Sequence, residues 1–340
     1  MGTVLEPIAQ RRPAHEPVLV GPVTALLAVP DGAGVLVDAT VGVAGHAAAL
    51  LAASGPDVRL VGFDRDADAL ELAGRRLAAY GDRVQLLHAG YEELTKLIAP
   101  VVAGAGPLLG VLYDLGVSSL QLDRAARGFS FRASGPLDMR MDPTAGATAA
   151  DVVNTTEQRE LARLLRVYGE ERYAPRIAAA IVRSRPLTTT GQLAEVVSAA
   201  VPTPARHAGT HPATKTFQAL RIVVNAELDR FSASLPQALE AVAPAAAGRR
   251  GGRIAVLGYH SGEDRLAKRF FADAAVGCIC PPQLPVCGCG REPMVRLLTR
   301  GAQRPDDAEI RRNPRARSAR LRAAEKVADG PIPTASSREV

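Results

Sequence analysis

Along the first third of the chain, short apolar runs alternate with stretches whose apolar residues recur at helical spacing. The runs at 35–38, 59–64, 84–87 and 111–114 are bounded by Gly, Asp and other turn-forming residues, and LELAGRRLAAY at 70–80 carries the helical period between two of them. Apolar runs of this length predict buried strands, and strands separated by helices predict a parallel sheet covered on both faces. A fifth run at 254–259 resumes the sheet after a long interruption. The predicted fold class is α/β.

Inside the interruption the strand rhythm gives way to helical spacing. Leu161, Leu164, Leu165 and Tyr168 stand at i, i+3, i+4 and i+7, as do Leu193, Val196, Val197 and Ala200. Thr189 with Gln192 predicts a capping box at the start of the second of these helices. The segment TFQALRIVVNAELDRFSASL puts Phe217, Leu220, Val224, Leu228 and Phe231 on one stripe, predicting one long helix that returns the chain to the sheet. Because a strand follows it, the pattern predicts an all-helical insertion in one α/β domain rather than two consecutive domains. The sheet domain is expected over 1–123 and 214–300, and the insertion over 124–213. A basic C-terminal tail is expected over 301–340, its end GPIPTASSREV reading as disordered.

Composition narrows the function classes. A chain of 340 residues that is 47% hydrophobic buries a sizeable core, which excludes a disordered tail or a disulfide miniprotein. The 41 Lys and Arg against 35 Asp and Glu favour an anionic partner without requiring one. The densest basic stretch is NPRARSARLR, and between 300 and 326 nine basic residues stand against four acidic ones. No uninterrupted apolar run is long enough to span a membrane, and MGTVLEPIAQRRPAHEP lacks the apolar segment of a signal peptide, so a cytoplasmic protein is expected. All four cysteines lie in CICPPQLPVCGCG. Two C-x-C pairs could offer four thiolates to one zinc ion; reduced thiols in a Pro- and Gly-rich loop are the plainer reading. The spacing differs from the common C-x-x-C knuckle, and no metal is assigned.

The stretch VDATVGVAGH follows the first predicted strand, where open parallel sheets bind ligands. A dinucleotide loop would read G-x-G-x-x-G and bring backbone amides onto a pyrophosphate. Only Gly42 and Gly45 are present here, so the pyrophosphate cradle is missing. S-adenosylmethionine has no phosphate and needs mainly room beside the backbone. Asp38 at the end of the first strand is placed to orient the loop or meet an ammonium group, and Asp64 in GFDRD to accept from ribose hydroxyls. Either acid could instead simply cap the following helix. The fourth strand ends at Asp114, where such folds face the transferable methyl. The exocyclic amine of a base is a poor nucleophile because its lone pair is delocalised into the ring, so an acceptor for its N–H helps. Asp114 is the catalytic candidate, and a role in cofactor binding alone stays open.

At these residues the sequence resembles the bacterial 16S ribosomal RNA (cytosine-N4)-methyltransferase family (MraW). The matching strings are VDATVGVAGH, GFDRDADAL, LYDLGVSSLQLDRAARGFSF with GPLDMRMDP, YGEERYAPRIAAAIV, HPATKTFQALRIVVNAEL, YHSGEDRLAKRF and NPRARSARLRAAE, in order over nearly the whole chain. The resemblance implies a class I Rossmann-like methyltransferase sheet with a helical substrate domain after the fourth strand. It implies methylation of N4 of a cytosine in the decoding region of the small ribosomal subunit, with S-adenosylmethionine as cofactor. Carried over by motif, the cofactor contacts are Ala44, Gly45, His46, Asp64, Tyr91, Asp114 and Gln121. His260, Ser261, Glu263, Asp264 and Arg265 in GYHSGEDR read as a strand-end network near the substrate, with a structural role equally open, and Arg315 and Arg317 as RNA contacts. The family loop usually has Gly where Ala44 stands, and Gly258 and Gly262 replace Ser and Leu. If position 44 needs positive φ, Ala there costs about 1 kcal/mol.

Two other readings stay in view. One is a methyltransferase for DNA or a small molecule, although the Asp-Pro-Pro-aromatic signature common in DNA amino-methyltransferases is replaced by DLGV. The other is a catalytically weak RNA-binding ribosome assembly factor on the same fold. With seven Phe, six Tyr and no Trp, base stacking cannot be spread over a surface, which suits one unpaired cytosine in one pocket.

Overall fold

Seven strands form one sheet in the computed structural model, which describes residues 17–333 apart from 207, 208, 210, 279, 282, 284, 285 and 287. They are β1 (Gly34–Asp38), β2 (Val58–Asp64), β3 (Val84–His88), β4 (Leu108–Asp114), β5 (Arg253–Gly258), β6 (Val295–Leu297) and β7 (Arg320–Lys326), in the order β3-β2-β1-β4-β5-β7-β6. The first five pair in parallel; β7 runs antiparallel to both β5 and β6. The helices are α1 (Val20–Leu27), α2 (Gly45–Ala52), α3 (Ala67–Leu77), α4 (Leu94–Ala105), α5 (Ser119–Asp123), α6 (Ala149–Thr155), α7 (Gln158–Gly169), α8 (Ala174–Arg183), α9 (Thr190–Ala200), α10 (Thr203–Arg206), α11 (Thr214–Asn225), α12 (Glu227–Ala241), α13 (Ser261–Ala275) and α14 (Asp307–Arg312).

Alternation along each strand divides the core between the two faces of the sheet. Val35, Val37, Val61, Val111, Tyr113 and Val256 pack with α4, α12 and α13, whereas Leu36, Leu60, Leu112 and Leu257 pack with α1, α2 and α3. A third apolar cluster is helical, drawing on α6 to α9 and α11 around Leu161, Ile177, Leu193 and Leu220. The predicted capping box is present, with Thr189 Oγ accepting from Gln192 N and the Gln192 side chain accepting from Thr189 N.

Three features differ from the sequence reading. The stripe from Phe217 to Phe231 is two helices, because Ala226 adopts φ 49 and ψ 41 and ends α11. Buried Asn225 locks the break: its Nδ2 donates to Met139 O at 2.8 Å and Arg221 O at 2.9 Å, and its Oδ1 accepts from Met141 N at 2.8 Å. Phe217 and Leu220 therefore belong to the helical cluster, which extends past residue 213, while Leu228 and Phe231 lie under the sheet. The third difference is the basic tail, much of which is not a tail. Arg320–Lys326 is a strand inside the sheet with Leu321, Ala323 and Ala324 buried. Its charges hid it: Glu325 pairs with Arg253 at 2.9 Å, and Lys326 Nζ donates to Glu240 O at 3.1 Å. The segment expected to be disordered falls partly at 334–340, outside the described residues. Among the described residues, no helix is long and apolar enough to cross a membrane.

Candidate functional site

Strand order reverses between β1 and β4, and the crevice at their carboxyl ends is where open α/β sheets take ligands. Asp38, Asp64 and Asp114 end β1, β2 and β4 and so share that edge. The loop after β1 touches all three strand ends. Thr40 N donates to Asp38 Oδ1 at 3.2 Å, Thr40 Oγ1 accepts from Asp114 N at 2.7 Å, and Gly42 N donates to Asp64 Oδ2 at 2.8 Å. Sequence reasoning misses Thr40, since only the pairing of β1 with β4 brings it beside a residue so far along the chain.

The loop needs two left-handed residues. Gly42 has φ 50, and Ala44, at φ 61 and ψ 34, immediately precedes α2. Position 44 thus requires the positive φ that Gly accepts without strain. Gly45 is small for a different reason: a Cβ there would lie 3.2 Å from the Pro17 ring.

Asp38 is fully buried, and burial pushes its carboxyl up to about 7, a rise held back by the His46 ring and the Thr40 N–H. Asp64 is also raised, first by burial, even though Gly42 and Asp66 donate backbone N–H groups to it. Each Asp64 oxygen accepts one such bond and keeps acceptor capacity for a ligand hydroxyl. Asp114 is one quarter exposed. Its Oδ1 accepts from the Tyr259 hydroxyl at 2.8 Å, and its Oδ2 lies 3.4 Å from His46 Nε2. His46 is buried, and neither ring nitrogen has a hydrogen-bond partner of good geometry. Burial alone lowers the imidazole, but the Asp114 and Asp38 carboxylates outweigh it and the net shift is upward. Tyr259 also escapes sequence reasoning, in which it is only the last residue of a strand. Burial, with the Asp114 carboxylate, holds its hydroxyl protonated well above the usual range.

A donor set of this kind suits S-adenosylmethionine. Burial raises the Asp38 and Asp64 carboxyls further than the His46 ring and the backbone N–H groups lower them, and an ammonium and a sulfonium would offset that cost.

The other expected contacts are distributed differently. Gln121 is buried and engaged within the protein, its Oε1 accepting from Ser118 N at 3.1 Å and its Nε2 donating to Asp66 Oδ2 at 3.0 Å. Asp66 also accepts from Arg127 at 2.7 Å, tying the segment after β4 to the start of α3. Tyr91 follows β3 and packs edge-on against Tyr113 at 5.6 Å, in the core beneath the sheet and outside the hydrogen bonds that join the three acids.

Residues 260–265 form the start of α13 and a latch between the two parts of the molecule. His260 Nδ1 accepts from Gly262 N at 3.1 Å, and Glu263 Oε2 accepts from Tyr259 N at 2.7 Å and His260 N at 3.2 Å. Glu263 is buried, yet its pKa is lowered, because the His260 ring and the Arg221 guanidinium outweigh desolvation. Ser261 Oγ donates to Glu170 Oε1 at 2.6 Å and Arg265 to the same oxygen at 2.9 Å, linking α13 to the end of α7. Asp264 pairs with Arg320 at 3.1 Å and Arg322 at 2.7 Å on β7. Arg315 reaches Asp123 at the end of α5 at 2.7 Å, and Arg317 is exposed on the same turn. The neighbouring α14 is pinned to the segment ahead of α1, where Glu309 Oε1 accepts from Leu19 N at 2.6 Å.

Comparison with known proteins agrees with this architecture. Curated relatives called ribosomal RNA small subunit methyltransferase H are 49% identical in Heliobacterium modesticaldum, over 92% of this chain and 98% of the relative. Those in Frankia alni and Syntrophotalea carbinolica are each 52% identical, over 93% and 88% of this chain and 96% and 93% of theirs. Since the model of the MraW methylase family matches residues 12–327 as well, this chain belongs to that family and is a methyltransferase.

Proposed function

We propose that the enzyme methylates the exocyclic N4 amine of a cytosine in the decoding region of small-subunit ribosomal RNA, with S-adenosylmethionine as donor. The observation that carries the reading is Asp114, a partly exposed carboxylate at the switch point held between the Tyr259 hydroxyl and His46. When bound, S-adenosylmethionine supplies a methyl group made electrophilic by its sulfonium. Asp38 and the loop from Thr40 to His46 would hold its methionine end, and Asp64 its ribose. Tyr91 would border the adenine, with Gln121 bracing the wall through Asp66.

Asp114 does the proton work. Tyr259 donates to Oδ1 and His46 faces Oδ2 at 3.4 Å, so the substrate amine would donate to the lone pairs of the carboxylate that these two neighbours leave open. Accepting an N–H bond draws the amine lone pair out of ring conjugation and gives the displaced proton a destination. Thr40, by binding the Asp114 backbone, fixes the distance between this acceptor and the cofactor loop, and such positioning is most of what a methyl displacement requires. Arg315 and Arg317 lie on the basic turn beside α5 and supply phosphate contacts that bring the RNA to the crevice. Residues 260–265 support the site as a scaffold between sheet, β7 and helical insertion.

The test is methyl transfer from labelled S-adenosylmethionine to unmethylated small subunits, naked ribosomal RNA and duplex DNA, with the product nucleoside identified. N4-methylcytidine from the ribosomal substrates is expected; product from duplex DNA alone would overturn the proposal. Asp114→Asn should lower kcat by about 100-fold or more while cofactor affinity changes only a few-fold, the range for loss of a general base.

A further inference from the structure

The described residues of the stretch 276–294 between α13 and β6 bury almost nothing. Among its described residues, Met294 is the buried apolar side chain, whereas Val286 is 77% and Val276 41% exposed. Its base is tied down, with Met294 N donating to Ala274 O and Arg291 Nη2 to Asp273 O, both at 2.9 Å. Irregular loops of more than about 12 to 15 residues are uncommon in a compact domain unless something else orders them.

Three cysteines meet at the far end. The sulfurs of Cys278, Cys280 and Cys289 all lie within 4.8 Å of one another, and Cys278 Sγ to Cys289 Sγ is 3.9 Å. A tetrahedral zinc with Zn–S bonds of about 2.3 Å sets its sulfurs about 3.8 Å apart. Cys280 N also donates to Cys278 Sγ at 3.4 Å, the kind of backbone bond that stabilises a ligating thiolate. Gly290, at φ 58, turns the chain directly after Cys289. An all-sulfur donor set selects zinc over the hard cations magnesium and calcium.

We infer that Cys278, Cys280 and Cys289 bind a structural zinc ion that closes this loop against the edge of the sheet. Three thiolates occupy three corners, and the remaining position is filled by a further ligand; Cys287, close by in sequence, lies outside the described residues. The site stands apart from Asp38, Asp64 and Asp114, so its loss acts on stability and leaves the chemistry in place.

The experiment is metal analysis of the full-length protein purified without an affinity metal, before and after one equivalent of zinc. About one zinc per chain is expected, falling at least tenfold in Cys278→Ser and in Cys289→Ser, with the thermal midpoint lowered by several degrees and methyl transfer at low temperature retained. Replacing zinc by cobalt should give the intense sulfur-to-cobalt charge-transfer absorption of a thiolate site. Should the variants fold poorly, thiol titration of the wild type decides: zinc is expected to slow the reaction of these cysteines with a disulfide reagent. Equal thiol reactivity with and without zinc, zinc content unchanged in the variants, or bound iron in place of zinc would overturn the inference.

Discussion

Asp38 carries a proton-linked cost that its burial sets. Burial raises its carboxyl to about 7, whereas in the unfolded chain it titrates near 3.9. The native state therefore holds a proton that the unfolded chain has released. Stability tied to Asp38 is complete below pH about 4 and is lost as the pH rises to about 7, at most about 4 kcal/mol. Urea unfolding of Asp38→Asn should accordingly vary less between about pH 4.5 and 7 than that of the wild type. A parallel pH dependence in both would remove Asp38 as the source. On the proposed placement, an ammonium against Asp38 would reverse the shift, so cofactor binding at about pH 6 should release up to about one proton, measurable by calorimetry in buffers of different ionisation enthalpy. Ala44 makes a second residue-scale prediction. At φ 61 its Cβ is strained, so Ala44→Gly should stabilise the protein by about 1 kcal/mol in the same unfolding assay, with methyl transfer preserved. The three acids were legible in the sequence because each closes an apolar run, a local signal. Thr40 and Tyr259 were not, because their partnership with Asp114 exists only once β1, β4 and β5 are side by side.

Periodicity reported the elements faithfully where a helix or strand satisfies itself, and failed where a side chain far away sets the boundary. The apolar stripe runs straight through Ala226, so only the hydrogen bonds of Asn225 to Met139 and Met141 reveal that α11 belongs to one core and α12 to another. The start of α13 shows the same principle in energetic form. Glu263 binds two backbone N–H groups and sits beside His260 and Arg221, whose guanidinium is itself paired with Glu227 at 2.8 Å. Truncation would leave the N–H groups of Tyr259 and His260 without this acceptor and Arg221 with less compensation. Glu263→Ala should therefore cost about 3 kcal/mol or more, as breaking a buried charged network does. Since Tyr259 follows β5 directly, the same variant should depress methyl transfer more than its global stability accounts for. A loss confined to stability, with kcat intact at low temperature, would separate the cap from the site.

At the scale of the molecule, one basic segment serves two physical ends, and the sequence displayed only one of them. NPRARSARLRAAE begins on an exposed turn and ends as a sheet strand whose Leu321, Ala323 and Ala324 are buried. Deleting the chain from residue 307 onward would therefore remove β7 from between β5 and β6, expose both cores and yield unfolded protein rather than a test of RNA binding. Point substitutions on α14 and on the turn separate the two ends. Arg311 and Arg317 are exposed, and α14 is fastened to the segment ahead of α1 through Glu309 and Leu19, next to the loop after β1. RNA drawn to this surface would meet the crevice at Asp114. Removing one cation that neutralises a phosphate lowers the slope of log affinity against log salt by about 0.7 for single strands and about 0.9 for duplex. Arg311→Ala with Arg317→Ala should thus weaken binding to small-subunit RNA at low salt and flatten the slope by about 1.5, with the thermal midpoint and the kcat at saturating RNA unchanged. A slope equal to that of the wild type would move the RNA path to another face of the enzyme. A lowered kcat at saturation would instead place the turn in contact with the reacting cytosine.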